Sequence, residues 1–258
     1  MINPPLSNLI DVDTIIQIVN SLGAASVKDL SARFKMTEDS IRKDLTLLQK
    51  RGLLRKTYGG AMRIEDDSQV HFVSQRKGKY ILDKQKIAKK VLSLFKDGKI
   101  IFLDISTSNI EVAKMLKTSG KALTVVTNMI EVMMIMADDN FNRLIFIGGE
   151  FTEGKDGFVG VAANREISKY RFDKSFMGVV GVNTERNAVT IYTPEDASTK
   201  ETALKCSKKS YMLLETRKLA NDANFVYAGV DDFTGVITEK PLEDWHRENL
   251  SPYNLEYI

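Results

Sequence analysis

Ser40, Arg42 and Lys43 stand close together in a polar stretch that opens at Thr37, and Arg55 and Lys56 follow just before Tyr58-Gly59-Gly60. Cations beside small hydroxyls are not the equipment of a nucleophile or a proton shuttle. They suit a polyanion, because Arg and Lys meet phosphates and base edges and glycines let backbone N–H groups come close. A second set lies far downstream. Asp104-Ile105-Ser106-Thr107-Ser108 places three hydroxyls where an apolar run gives way to a helical pattern. Hydroxyls and free N–H groups at a helix start make a pocket for a small anion such as phosphate. Plain capping accounts for the same residues equally well, since Ser108 with Glu111 three positions on is a capping box. Thr127-Asn128 and Gly148-Gly149-Glu150 end two further apolar runs, where ordinary turn chemistry is also sufficient.

The first set needs helices to present it, and the spacing supplies them. Ser26 with Asp29 reads as an N-terminal cap, after which Val27, Leu30 and Phe34 share one face. Thr37 reads as the next cap, with Glu38 and Asp39 in the first turn, where the helix dipole favours negative charge. Ile41, Leu45 and Leu48 then point inward, while Asp39, Lys43, Thr46 and Lys50 point outward. An earlier helix, Asp13 to Leu22, offers Ile15, Ile18, Val19 and Leu22 to the same core, with Gly23 placed to end it. After the second capped helix, Leu53 to Ala61 reads as a basic strand entering a Gly-Gly turn, one arm of a hairpin wing. This order predicts a mainly-α winged helix-turn-helix domain over 1–63, with the amino-terminal half of the recognition helix facing base edges. A three-helix domain with a solvated basic face is the alternative.

Residues 64–82 are polar and aperiodic around Glu65-Asp66-Asp67-Ser68-Gln69, which predicts a linker. A helix from about Asp83 to Lys96 opens the rest. Apolar runs at 100–105, 123–128, 143–149, 174–182, 211–215 and 236–238 alternate with helical patterns ending near Lys117 and Ala137 and another near 194–209. That alternation predicts an α/β domain over 83–258, with a mostly parallel sheet and helices on both faces. Ligands of such sheets sit outside the carboxyl ends of the strands.

Composition narrows the function. Net charge is only +3 over 258 residues, but residues 1–63 hold ten basic against six acidic side chains, leaving the remainder close to neutral. A basic small domain beside a near-neutral large one suits DNA binding by the first alone. The single cysteine, Cys206, excludes an internal disulfide. With no basic leader followed by an apolar run, and no uninterrupted apolar segment of membrane-spanning length, the expected location is cytoplasmic. His71 and His246 are far apart and have no cluster at metal-ligand spacing, so no metal is expected. The chain has no Gly-x-x-x-x-Gly-Lys-Ser/Thr, and Gly178-Val179-Val180-Gly181 lacks the order of a dinucleotide loop, so no cofactor is expected. The Met-rich run from Met129 to Met136 reads as helix core.

The amino-terminal part resembles the DNA-binding domain of the DeoR family of bacterial sugar-metabolism regulators. The resemblance rests on Ser26-Val27-Lys28-Asp29-Leu30, Ser40-Ile41-Arg42-Lys43-Asp44-Leu45, Gly52-Leu53-Leu54 and Gly59-Gly60-Ala61, with Tyr58 where the family commonly has His. It implies DNA contacts from Thr37, Ser40, Arg42, Lys43, Arg55, Lys56, Tyr58, Gly59 and Gly60. The larger part resembles that family's effector domain, related in fold to ribose-5-phosphate isomerase. Here the matching pieces are Asp104 to Ser108, Thr127-Asn128, Gly148-Gly149-Glu150, Gly157 to Gly160, Phe172-Asp173-Lys174, Thr193-Pro194-Glu195, Lys200 and Lys218. By that resemblance Ser106, Thr107 and Ser108 form the phosphate loop, and Asp104 beside them belongs to the effector site. Thr127, Asn128, Glu150, Glu195, Lys200 and Lys218 line the polyol side.

Two positions depart from the family pattern. Val180 stands where the family has Asp in Gly-x-Asp-Gly, and Glu215-Thr216-Arg217-Lys218 replaces Asp-x-x-Lys. A valine cannot do acid–base work, so isomerase activity is not expected. The combined expectation is a transcriptional regulator, a repressor of a carbohydrate operon. It binds double-stranded operator DNA as a homo-dimer or homo-tetramer and answers to a phosphorylated sugar. An isomerase-like enzyme with an appended DNA-binding domain is the alternative. A regulator whose large domain serves only for oligomerisation is a third reading.

Overall fold

Apolar residues at helical spacing near the amino terminus, and apolar runs at strand length thereafter, build two separate units, Met1–Ser68 and Gln69–Ile258. The computed structural model describes residues 14–16, 18–19, 24–50, 53–57, 59–62, 78–219 and 221–258. The expected linker falls largely outside the described residues, as do Asp13, Leu22, Gly23 and Tyr58.

In the first unit, the strand β1 (Ala24–Ser26) leads directly into the helix α1 (Val27–Phe34). Ser26 caps α1: its Oγ accepts the Asp29 N–H at 3.0 Å and donates to Asp29 Oδ2 at 2.6 Å. Lys35 leaves the helix in the left-handed conformation and begins the turn. The helix α2 (Glu38–Lys50) follows, its entry fixed by the Ser40 N–H on Thr37 Oγ1 at 3.3 Å. Strands β2 (Arg55–Thr57) and β3 (Gly60–Met62) form an antiparallel hairpin, and β1 completes the sheet in the order β1-β3-β2. Ile15, Val19, Leu30, Ile41, Leu45, Leu48 and Leu54 fill one core. The spacing did not predict β1, because three residues carry no periodicity.

In the second unit, seven parallel strands form one sheet. In chain order they are β4 (Ile100–Leu103), β5 (Thr124–Thr127), β6 (Arg143–Phe146), β9 (Lys174–Gly178), β12 (Ser210–Leu214), β14 (Gly235–Thr238) and β15 (Glu256–Tyr257). Their spatial order is β15-β14-β12-β9-β4-β5-β6. Alternate residues of β4 divide the core. Ile101 and Leu103 face α3 (Ile81–Ser93), α4 (Thr107–Lys117) and α5 (Ile130–Met136), and Phe102 faces the other side. That side is covered by α6 (Gly160–Ile167), α7 (Pro194–Lys205) and α8 (Asp244–Leu250). Helices therefore cover both faces, as the alternating pattern predicts.

Several elements differ from the sequence expectation. The leading helix begins at Ile81, inside the expected linker; Ile81 and Leu82 are exposed, so the apolar period starts only later. The run 174–182 is two strands, not one. Its first part is β9, and its second, β10 (Gly181–Asn183), joins an antiparallel sheet with β11 (Ala188–Ile191) and β13 (Phe225–Ala228). After β6 the loop carries a hairpin, β7 (Glu150–Phe151) with β8 (Phe158–Val159). The Met-rich run is only partly core: Met129 and Met136 are buried, and Met134 is exposed.

Candidate DNA-binding surface and effector cleft

On α2 the inward stripe is sealed, and the outward residues form a shallow depression lined by Asp39, Arg42, Lys43, Thr46 and Leu47. Arg42 and Lys43 are exposed, and Ser40 is half-buried beside Thr37. Arg42 is held across the first turn by Glu38 at 2.8 Å and Asp39 at 3.2 Å. These are exposed pairs, worth on the order of 0–1 kcal/mol, so they hold the guanidinium ready without locking it. Lys56 of β2 reaches back to this helix, its Nζ on Thr46 Oγ1 at 2.7 Å and its N–H on Gln49 Oε1 at 3.2 Å. Arg55 is placed by its backbone in β2. Gly59 is exposed with open space around it. Gly60 is used differently: a Cβ there would lie 2.1 Å from Ala25 O, so its bareness serves the β1–β3 contact inside the sheet.

In the second unit the acidic residue at the end of β4 organises a buried cluster. Asp104 Oδ1 accepts from Asn109 Nδ2 at 2.7 Å; Oδ2 accepts from the Gly178 N–H at 2.9 Å and from Lys200 Nζ. One carboxylate thus ties the ends of β4 and β9 to α4 and α7. Lys200 also lies 3.9 Å from Asp196, one turn back on α7. Gly178 has no alternative, because a Cβ there would come within 2.2 Å of Ser106 Cβ.

The cap of α4 is Ser106, whose Oγ accepts the Asn109 N–H at 3.2 Å. The Ser108–Glu111 capping box, one of the two readings of this stretch, therefore does not form. Glu111 instead takes Lys114 at 2.7 Å and Gln85 at 3.2 Å. Thr107 and Ser108 occupy the first turn, where the backbone N–H groups have no acceptor within the helix.

Thr127 and Asn128 are both buried. Thr127 Oγ1 donates to Leu103 O at 2.7 Å and accepts the Met129 N–H at 3.1 Å, so its hydroxyl is engaged by the fold. Asn128 Nδ2 donates to Phe158 O at 2.8 Å, and its Oδ1 has no partner among the described residues. Glu150 and Glu195 are exposed on the rim of a cleft of about 350 Å³. Ile105, Val159 and Ile191 line this cleft together with five carboxylates, those of Glu150, Glu153, Asp156, Glu195 and Asp196, and with no basic side chain. Lys218 Nζ donates to Val179 O at 2.9 Å, close to the Asp104 cluster. Val180, in place of the family's acid, is buried in the apolar core.

Two features were not read from the sequence. Tyr227 on β13 is buried, its hydroxyl has no partner among the described residues, and burial, then Asp104 and Asp196 nearby, push its pKa well up. Lys84 on α3 is buried within 3.7 Å of Glu215. Neither carries a motif. Among the described residues no group of His, Cys, Asp or Glu is placed to hold a metal ion, and no helix is long and apolar enough to cross a membrane.

Comparison with known proteins decides the family. Residues 12–67 match the DeoR-like helix-turn-helix domain, and residues 80–240 match the DeoR C-terminal sensor domain. The chain belongs to the DeoR family. It is a DNA-binding transcriptional regulator whose larger domain is a sensor for a small molecule, and it is not an enzyme. One DeoR relative is the HTH-type transcriptional regulator FruR of Bacillus subtilis, 31% identical over 87% of this chain and 88% of that one. Another is the lactose phosphotransferase system repressor of Lactococcus lactis, 27% identical over 94% and 95% of the two chains. Among solved structures, the DeoR sensor has a distant likeness to ribose 5-phosphate isomerase A from Methanocaldococcus jannaschii. The TM-score is 0.37 and the identity 15%, over 53% of each chain.

Proposed function

We propose that this DeoR-family regulator is a repressor of a carbohydrate operon, released or tightened on its operator by a phosphorylated sugar. The observation that carries the DNA half is the pairing of an exposed Arg42–Lys43 face on α2 with a wing whose Lys56 is fixed to the same helix. Arg42 and Lys43 read base edges, with Ser40 and Thr37 beside them. Arg55, Lys56, Tyr58 and the Gly59 turn follow the phosphate backbone, and Gly60 holds the wing in shape. Single small modules of this kind give limited affinity, so a homo-dimer or homo-tetramer on a repeated or palindromic operator follows, acting in the cytoplasm.

The effector half rests on the carboxyl ends of the parallel strands. The first turn of α4 receives the phosphate through Ser106, Thr107 and Ser108, with Lys218 near by. The hydroxyls of the sugar face Glu150, Glu195 and the free oxygen of Asn128, all acceptors. Thr127, Asp104 and Lys200 act by holding the loops in place. One relative is named as the repressor of the lactose phosphotransferase system, which agrees with this ligand class.

Fluorescence anisotropy with labelled DNA from upstream of its own and neighbouring genes tests both halves. The titration is run at two salt concentrations, with and without sugar phosphates. Tight, salt-sensitive and sequence-preferring binding that one sugar phosphate shifts supports the proposal. Binding that no sugar phosphate shifts removes the effector half, and absence of sequence preference removes the operator half.

A further inference from the structure

Glu215, immediately after β12, is a crowded buried charge in the sensor. Its side chain is almost wholly buried and meets three cations. Arg217 hydrogen-bonds to Oε2, Lys218 Nζ lies 3.9 Å from Oε2, and Lys84 Nζ lies 3.7 Å from Oε1. Lys84 is itself only 4% exposed. Buried ions are held this way only when each has a partner, because removing one leaves another uncompensated.

The three cations come from two places. Arg217 and Lys218 belong to the short 3₁₀ turn after β12, and Lys218 also reaches Val179 O beside the Gly178–Ser106 contact. Lys84 belongs to the first turn of α3, where its Nζ donates to Lys79 O at 2.5 Å and its N–H to Tyr80 O at 3.1 Å. Tyr80, the residue that starts α3, has φ 54°, an uncommon left-handed conformation for an aromatic. The Arg217 guanidinium lies over its ring, 3.9 Å from the centroid. One carboxylate therefore joins the loop at the effector site to residues 79–84. Those residues are where the sensor's first helix begins, next in sequence after the segment that joins the two units.

We propose that Glu215 is the centre of a charge clasp that transmits effector binding to the start of α3. An anion at Ser106–Ser108 competes with Glu215 for Lys218. With that pair weakened, Glu215 draws more closely on Arg217 and Lys84, and the Tyr80–Arg217 stack shifts with them. The clasp has two arrangements, and the anion favours one because only there does Lys218 face it; that differential contact is what coupling requires. This inference rests on the effector reading above and supplies its regulation.

The test uses the full chain and two variants at partly exposed positions, Arg217→Ala and Tyr80→Ala. The probes are glucose 6-phosphate, fructose 1-phosphate, fructose 6-phosphate and ribose 5-phosphate, and the strongest of them in the wild type is carried forward. Calorimetry gives its affinity, and anisotropy gives operator affinity with and without it. Both variants are expected to keep effector and bare operator affinities within about threefold of wild type, while the effector-induced change in operator affinity falls from about tenfold or more to under about twofold. Hydrogen exchange at the amides of residues 80–86 is expected to respond to the effector in the wild type and not in Arg217→Ala. Variants that keep the full wild-type response overturn the clasp. So do variants that lose effector binding, since those residues would then belong to the binding site. A wild type that answers to none of the four probes is seen before any variant is made, and it removes the effector reading and the clasp together.

Discussion

Lys56 Nζ donates to Thr46 Oγ1 at 2.7 Å, and through that bond the wing is fixed against the recognition helix. Thr46 is in turn anchored, its hydroxyl donating to Arg42 O at 2.6 Å. The wing cation is thereby placed beside the exposed Arg42–Lys43 side of α2. Replacing Lys56 with Ala is expected to weaken binding about equally on all DNA sequences and to lower the salt slope by about 1. Anisotropy across a salt series checks it. A loss confined to one operator sequence would show that Lys56 reads bases.

Arg42 is expected to behave differently. Arg42→Ala should cost about 1–3 kcal/mol on the operator and relax preference at one base position. Glu38→Ala frees the same guanidinium and removes a negative charge from the DNA-facing helix, so it is expected to tighten binding modestly. Operator variants scanned against both proteins separate the two effects. An Arg42→Ala protein with unchanged preference would take Arg42 out of base reading.

Tyr227 carries a hydroxyl that has no acceptor among the described residues. A buried unpaired polar group costs about 1–3 kcal/mol, and replacement by an apolar group of the same shape is neutral or stabilising. Tyr227→Phe is therefore expected to melt at or slightly above the wild-type temperature, read by calorimetry of the ligand-free protein. A clear drop in melting temperature would mean the hydroxyl has a structural partner.

The Glu215 carboxyl titrates below its ordinary value of 4.5. Burial pushes it up, but Lys218, Arg217 and Lys84 together outweigh the burial. A folded value below the unfolded one means that the folded chain binds fewer protons. Its stabilisation is then complete above the ordinary value and is lost as pH falls through the lowered one. Glu215→Gln is expected to flatten the acid side of the melting-temperature profile below pH 4.5. At neutral pH it should destabilise by on the order of 3 kcal/mol, because three cations lose their common anion. An unaltered acid limb in the variant would contradict this assignment.

Local chemistry made part of this molecule legible in advance. The Ser26–Asp29 and Thr37–Ser40 caps are contacts between near neighbours, and their sequence spacing is their geometry. The central strands are buried on both faces, so they read as uninterrupted apolar runs. What stayed hidden depends on distance along the chain. The strands β10, β11 and β13 are short, and only their mutual pairing makes them a sheet. Ser108–Glu111 satisfied the capping rule as well as Ser106–Asn109; the end of β4 decided between them, through the Asp104–Asn109 bond. The Lys84–Glu215 pair joins residues far apart in sequence, so no motif announces it.

The acid-lined mouth of the effector cleft has a further consequence for cellular chemistry. If the proposed effector sets its phosphate at the start of α4, its uncharged, hydroxylated tail would meet the cleft lined by Glu150, Glu153, Asp156, Glu195 and Asp196. A bisphosphate or a nucleotide would have to put its second anion among those carboxylates, where like charges repel. The sensor would thus favour a ligand carrying one phosphate over one carrying two.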